Sequence, residues 1–338
     1  MKKTLYPILL LASALLLSCR DKEVPAIPTP AEEHQVSEQA EQAKATPVVT
    51  AADINLKKEL AYDKYTLEDS YAYKDTVRVF QWEKIKEKLA FVENFSNQKG
   101  KYIVLQNYKN KNGESPTVKN YVRNAYTRVS DSLGVERYQS APLYKTDQTE
   151  LPSFYGRDGW LGRLISSDTL DMIRLQGISF NGTWDVPKRY VKTLSDSIAF
   201  NFIVVVDVTN QNITTLERAD NQWLIRSMNP ATSGVHQPPY AHETPPGMFI
   251  MQEKKEKMFF HKDGTTEIGG YAPYASRFTN GAYIHGVPVN YPQQNIIEYS
   301  YSLGTTPRSH MCVRNVSSHA KFIYDRVKPY EILVFIID

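Results

Sequence analysis

Two segments set the terms for this chain. Residues 199–209 (AFNFIVVVDVT) and 330–337 (YEILVFII) are nearly unbroken apolar runs rich in β-branched and aromatic residues. Successive strand side chains point to opposite faces, so a run without polar alternation belongs to a strand covered on both sides. Strand pieces surround them. Residues 211–217 and 223–228 are joined by an Asp-Asn turn, and 248–252 and 257–261 read likewise. Residues 282–285 follow the turn pair Asn280-Gly281. One helix is expected over 318–327, with Ser317 or Ser318 as N-cap and Lys328-Pro329 ending it. Residues 196–338 are therefore expected to form a mostly β domain with one short helix.

Residues 51–195 read as a separate α+β, β-rich accessory domain. The spacing of Ile85, Leu89 and Val92 predicts a helix over 82–94. Residues 101–107 (KYIVLQN) predict a strand. Tyr121, Ala125 and Val129 share a helical face and predict a second helix over 118–132. From residue 141 short aromatic runs alternate with Gly and Asp, as in FYGRDGW and FNGTWDVPKRYV, which suggests a small β-barrel. The stretch 155–190 resembles a bacterial Src-homology-three-like module.

Lys2 and Lys3 precede an apolar run over 5–17 that is too short to span a bilayer. The run ends Leu16-Leu17-Ser18-Cys19, which resembles a bacterial lipobox. The resemblance implies a signal peptide over 1–18, a lipidated Cys19, and a membrane-anchored envelope protein on the periplasmic or outer-membrane side. Residues 20–50, rich in Pro, Ala, Glu and Gln, read as a disordered tether. The chain has two cysteines, Cys19 and Cys312. With Cys19 acylated, Cys312 has no disulfide partner in its own chain, and catalysis is a leading reason to keep a lone thiol outside the cytoplasm. A net charge of +3 without a basic run excludes a nucleic-acid arm. No Cys/His spacing suits a metal, and no cofactor is expected. The 22 tyrosines suit β-rich packing first and groove lining second.

Two further segments carry chemistry: Tyr283-Ile284-His285-Gly286 and Ser309-His310-Met311-Cys312-Val313-Arg314-Asn315. The thiolate is the reactive form of cysteine, and an imidazole can take the proton and hold the ion pair. His285 is the expected partner, and a low-pKa Cys312 is expected to alkylate well below pH 8. His310 lies two before Cys312, which in a strand puts both side chains on one side. Backbone N–H groups of Met311 and Cys312 are candidates for an oxyanion hole. Arg314 suits a carboxylate clamp. Tyr274, His236 and His242 are weaker candidates for substrate contact.

The pair of segments resembles the L,D-transpeptidase catalytic domain (YkuD-like), in which an IHG-type histidine precedes a Ser/Thr-His-Gly-Cys motif. Here Cys312 lies 27 positions after His285. Val204 to Asp207 with Leu216 resembles that domain's opening strand pair, and Thr244 to Phe249 its TPxGxF turn. The resemblance implies a β-sandwich fold, a base His285 held by the carbonyl of Gly286, a site including Ser309 and His310, and peptidoglycan stems as substrate. It implies a cysteine thioester with a tetrapeptide stem, release of D-alanine, transfer to an amine, and carbapenem susceptibility. Hydrolysis instead of transfer makes an L,D-carboxypeptidase. The family glycine is replaced by Met311, which opens the alternative of a non-catalytic wall-binding lipoprotein with a decayed site. A cysteine endopeptidase fits least, since those families place Cys before His.

Overall fold

The computed structural model describes residues 47–148 and 150–338. The signal-peptide and Cys19 expectations, and the tether up to residue 46, lie outside the described residues. Among those described, no helix is long and apolar enough to cross a membrane.

The helix α1 (Trp82–Ser96) forms where apolar spacing predicts it, burying Ile85, Leu89, Val92 and Phe95. After it come β1 (Tyr102–Leu105), β2 (Leu161–Leu164), β3 (Met172–Gly177), β4 (Thr183–Pro187) and β5 (Val191–Thr193). They form one antiparallel sheet in the order β4-β3-β2-β1-β5. The expected small barrel is thus a five-stranded sheet that is open in its hydrogen bonding. The helix expected over 118–132 is absent. Two-residue strands, Val122–Arg123 and Val129–Ser130, face each other there instead. Asn124 is the cause. Its side-chain oxygen accepts from the N–H of Tyr126 and of Arg128, both at 3.0 Å. Such side-chain-to-backbone bonds offer the chain an alternative to helix.

The second sheet contains β6 (Phe202–Asp207), β7 (Asn212–Ala219), β8 (Gln222–Thr232), β9 (Gly247–Ile250), β10 (Glu253–His261), β11 (Ile268–Thr279), β12 (Ala282–His285), β13 (Val313–Asn315) and, after the helix α2 (Ser317–Arg326), β14 (Ile332–Ile337). Their order is β9-β14-β6-β7-β8-β13-β12-β11-β10. The short strands Leu56–Lys58 and Val289–Asn290 add to β8 and β11. The two apolar runs lie side by side, second and third from the β9 edge of the sheet. β6 and β14 pair in parallel, with Val204 opposite Val334, and all of β14 is buried. The N-cap of α2 is Val316, without a side-chain cap bond. Ser317 is used elsewhere: its hydroxyl donates to Ile297 O at 2.6 Å and accepts from Val287 N–H at 3.0 Å.

The hydrophobic core does not stop at residue 195. Leu89 and Phe95 of α1 and Tyr102 of β1 pack in one cluster with Ile203, Trp223 and Phe335. A second tie is polar. Asp158, on the turn before β2, is fully buried against the guanidinium of Arg277 on β11, at 2.5 Å. The same carboxylate accepts from the N–H of Asn107, Tyr108 and Asn280 at 2.9, 3.1 and 3.1 Å, and from the Gln252 amide at 2.8 Å. Burial opposes the Arg277 charge, but Asp158 beside it outweighs that and raises its pKa above the ordinary value. Gly159 lets the turn come this close. It sits at φ +89, and a Cβ there would lie 2.1 Å from Phe278 O.

Removing one partner of a buried ion pair leaves an uncompensated charge and costs about 3–5 kcal/mol. Asp158→Ala is therefore expected to lower the urea unfolding free energy by about that amount. An unchanged unfolding midpoint would show that the pair does not hold the two parts together.

Candidate active site

β12 and β13 run parallel, with Ile284 opposite Val313 and His285 opposite Arg314. Alternation along each strand then turns Tyr283, His285, Cys312 and Arg314 to one side. Tyr283 and Cys312 share a small buried cluster with Ala275. His285, Cys312 and Arg314 all line one cleft of about 950 Å³. The two motifs, far apart in the chain, meet because short parallel strands carry them side by side.

His285 is buried, and its Nδ1 lies 2.6 Å from Gly286 O. A carbonyl only accepts, so Nδ1 carries the hydrogen and Nε2 of the neutral ring is an acceptor. Cys312 is 8 % exposed. Its thiol donates to Gly281 O at 3.5 Å. Among the described residues no hydrogen bond joins the sulfur to the imidazole. The two residues are diagonal neighbours on adjacent strands. Carrying the register back one step sets Cys312 opposite Tyr283, two residues from His285 on the same face.

Burial works against the expected ion pair. Burial pushes the Cys312 thiol up to about 11, against smaller opposing effects from Tyr283 backbone hydrogen bonding and Arg314. Burial pushes His285 down to about 4, with the Gly286 bond opposing and Arg314 assisting. Desolvation disfavours both charges, so thiol and imidazole are both neutral at pH 7.

Met311 takes the place of the family glycine and also its conformation, at φ +81. Its carbonyl accepts from Thr244 Oγ1 at 2.8 Å, and the same hydroxyl accepts from Gly234 N–H at 2.8 Å. Gly234 is needed for this contact, since a Cβ on it would lie 2.8 Å from the Met311 backbone. Held this way, the N–H groups of Met311 and Cys312 have no protein acceptor among the described residues. They are free to meet an oxyanion.

The other expected residues divide. Ser309 is buried, and its hydroxyl donates to Cys312 O, so it ties the loop together. His310 does not share a strand with Cys312, because His310 and Met311 form a bend before β13 begins. Its ring lies at the cleft rim, 3.4 Å from Asp263. Arg314 has no acidic partner among the described residues, and its Nε is buried without an acceptor. Tyr274 is not brought to the cleft; its ring packs edge-on against Tyr324 of α2. His236 pairs with Glu243, and His242 stacks at 3.5 Å on Tyr126, so neither faces Cys312. Tyr299 and Tyr301 do line the cleft and were not singled out from the sequence. Their spacing carries no local signal; Tyr299 is held by stacking on Tyr65, 5.0 Å away.

A thiol pushed up to about 11 is mostly protonated near neutrality. Iodoacetamide alkylation of Cys312 should therefore climb about tenfold per pH unit between about pH 7 and 9. A plateau below pH 8, read by intact mass against time, would mean that the ion pair forms in the free protein.

A family model described as the L,D-transpeptidase catalytic domain (YkuD) matches residues 201–336. A comparison with curated proteins found no match. Among solved structures, the L,D-transpeptidase from Mycobacterium smegmatis is 18% identical, over 52% of this chain and 82% of that one, with a TM-score of 0.33. The catalytic domain of the Enterococcus faecium (E. faecium) L,D-transpeptidase acylated by ertapenem is 21% identical, over 41% of this chain and 98% of that one, at 0.30. A fused Zn-dependent amidase/peptidase/peptidoglycan-binding protein from Clostridium acetobutylicum is 18% identical, over 41% of this chain and about half (54%) of that one, at 0.29. The match to the YkuD family of L,D-transpeptidase catalytic domains is thus carried by residues 201–336 of this chain.

Proposed function

We propose that Cys312 carries acyl transfer on the peptide stems of bacterial peptidoglycan. The observation that bears most weight is the tautomer of His285. Its Nδ1–H is committed to Gly286 O, which leaves Nε2 as the acceptor of a residue that lines the same cleft as the sulfur. The thiol turns from Gly281 O toward Nε2 by rotation about its side-chain bond. Nε2 takes the S–H proton as the sulfur attacks the carbonyl carbon of the third stem residue. The tetrahedral oxyanion is met by the N–H groups of Met311 and Cys312. Collapse breaks the peptide bond, the imidazolium protonates the leaving amine, and D-alanine departs from a Cys312 thioester. An amine acceptor then attacks that carbonyl and gives its proton to His285, and the sulfur leaves. Arg314, free of acidic partners, suits a stem carboxylate.

Two observations weigh against a decayed site. Met311 keeps a glycine-like φ, and its N–H stays free. Neutral His285 suits a base that acts at the moment of attack, so a stored thiolate is not required. Transfer is favoured over hydrolysis by the burial of the sulfur, which limits water at the thioester.

Tetrapeptide muropeptides incubated with the protein should release D-alanine and form amide products joined at the third stem residue. Cys312→Ala should lose both, by mass spectrometry, and a carbapenem should add its mass to the wild type alone. Release of D-alanine with only free tripeptide as product would assign the hydrolytic reaction, and no reaction in the wild type would reject the catalytic reading.

We also propose that Cys19 is acylated and holds the protein at the cell envelope. Radiolabelled palmitate should enter the wild-type protein and not Cys19→Ala. Equal labelling of the two would reject the anchor.

A further inference from the structure

A second cleft, of about 480 Å³, reaches Cys312 from the side of Tyr283 and Gly281. His310 lies on the rim of both clefts. The second cleft has a basic wall: Lys255 and Lys257 from β10, and Lys109 from the segment after β1. Lys255 is partly neutralised by Glu253 at 3.2 Å. Lys109 and Lys257 have no carboxylate partner among the described residues. Each ammonium instead lies over a tyrosine ring, Tyr108 at 5.4 Å and Tyr271 at 4.8 Å. Of the acids nearby, Glu253 pairs with Lys255 and Arg277 and Asp263 with His310, while Glu256 between the two β10 lysines does not line this cleft.

Lys109 reaches this wall in an unusual backbone state. It sits at φ 55, ψ 30, a left-handed conformation that a residue with a side chain rarely holds. Its surroundings impose it. Asp158 accepts from Tyr108 N–H immediately before it, and Gln139 Oε1 accepts from Lys109 N–H at 2.8 Å. The buried clamp between Asp158 and Arg277 thus presents an unpaired lysine from outside the catalytic domain beside the nucleophile. Strain maintained by surrounding structure is a common mark of a functional position.

We propose that Lys109 and Lys257 form an anion subsite that binds a carboxylate of the acyl acceptor. This rests on the acyl-transfer reading above. A free amino acid or a stem end presents an amine and a carboxylate. The lysines hold the carboxylate while the amine attacks the thioester from the second cleft. The acylated stem occupies the first cleft, with Arg314.

Two measurements test it. The first needs no catalysis: alkylation of Cys312 by iodoacetate, an anion, against neutral iodoacetamide. In both reactions the sulfur displaces iodide and forms an S–CH₂ bond. At low salt the wild-type iodoacetate-to-iodoacetamide rate ratio should exceed that of free cysteine. In K109A/K257A the ratio should fall about fivefold, with the iodoacetamide rate unchanged, while K109R/K257R should keep it. An unchanged ratio in the alanine variant overturns the subsite, as does failure of both reagents to reach Cys312. The second measurement uses glycine and glycinamide as acceptors on the preformed thioester. The alanine variant should raise KM for glycine alone. An equal change for both, or none, overturns the acceptor role. If no thioester forms, the acyl-transfer reading fails while the alkylation ratio still decides the subsite.

Discussion

One buried carboxylate holds the surroundings of Cys312 in place. Asp158 cannot be left unpaired in an apolar interior, because an isolated ionised group there is far too costly. Its partners are therefore fixed. They are the guanidinium of Arg277, the N–H of Asn280 in the turn before β12, and the N–H of Tyr108. The next residue after Asn280 is Gly281, whose carbonyl takes the Cys312 thiol. The register of β12, and with it the position of His285, follows from that turn. A charge supplied by the segment before β2 thus sets the geometry of a site more than a hundred residues later in the chain.

Burial also decides the electrostatics. Cys312 and His285 are both taken out of water, and each is pushed toward its neutral form. A resting ion pair would need a desolvated thiolate and a desolvated imidazolium. Arg314 lowers the cost of the thiolate by less than burial raises it, and it adds to the cost of the imidazolium. Met311 belongs to the same design. Its backbone is left-handed, its N–H and that of Cys312 meet no protein acceptor among the described residues, and the Thr244 hydroxyl bridges Met311 O and Gly234 N–H.

Much of the fold is legible locally. The runs at 199–209 and 330–337 become interior strands because nothing polar interrupts Phe202 to Val206 or Ile332 to Ile337, and α1 follows the spacing of Ile85, Leu89 and Val92. The meeting of His285 with Cys312 was legible through motif spacing. What failed did so for identifiable reasons. Tyr121, Ala125 and Val129 share a helical period, but the Asn124 side chain captures the backbone between them. Ser317 reads as a cap, yet its hydroxyl bridges Ile297 and Val287. His310 and Cys312 line the same two clefts as expected, but through a bend and not through strand alternation. The core shared across residue 195 and the reach of Asp158 to Arg277 are long-range, and no window of sequence contains them.

Under the proposed acyl transfer, the two clefts give the burial of the sulfur a chemical sense. A thioester is consumed by any nucleophile that reaches it, and water is always the most abundant. Sequestering Cys312 raises its pKa and slows its ionisation, but it also limits the approach of bulk water to the acyl group. The neutral base His285 offsets the first effect during attack, when the proton moves together with bond formation. The second effect leaves selection of the acceptor to the walls around the sulfur. On one side stands Arg314, without an acidic partner among the described residues, and on the other Lys109 and Lys257. Discrimination between an amine and water then depends on how well those walls hold the rest of the acceptor, because positioning is what a bound amine has and water lacks.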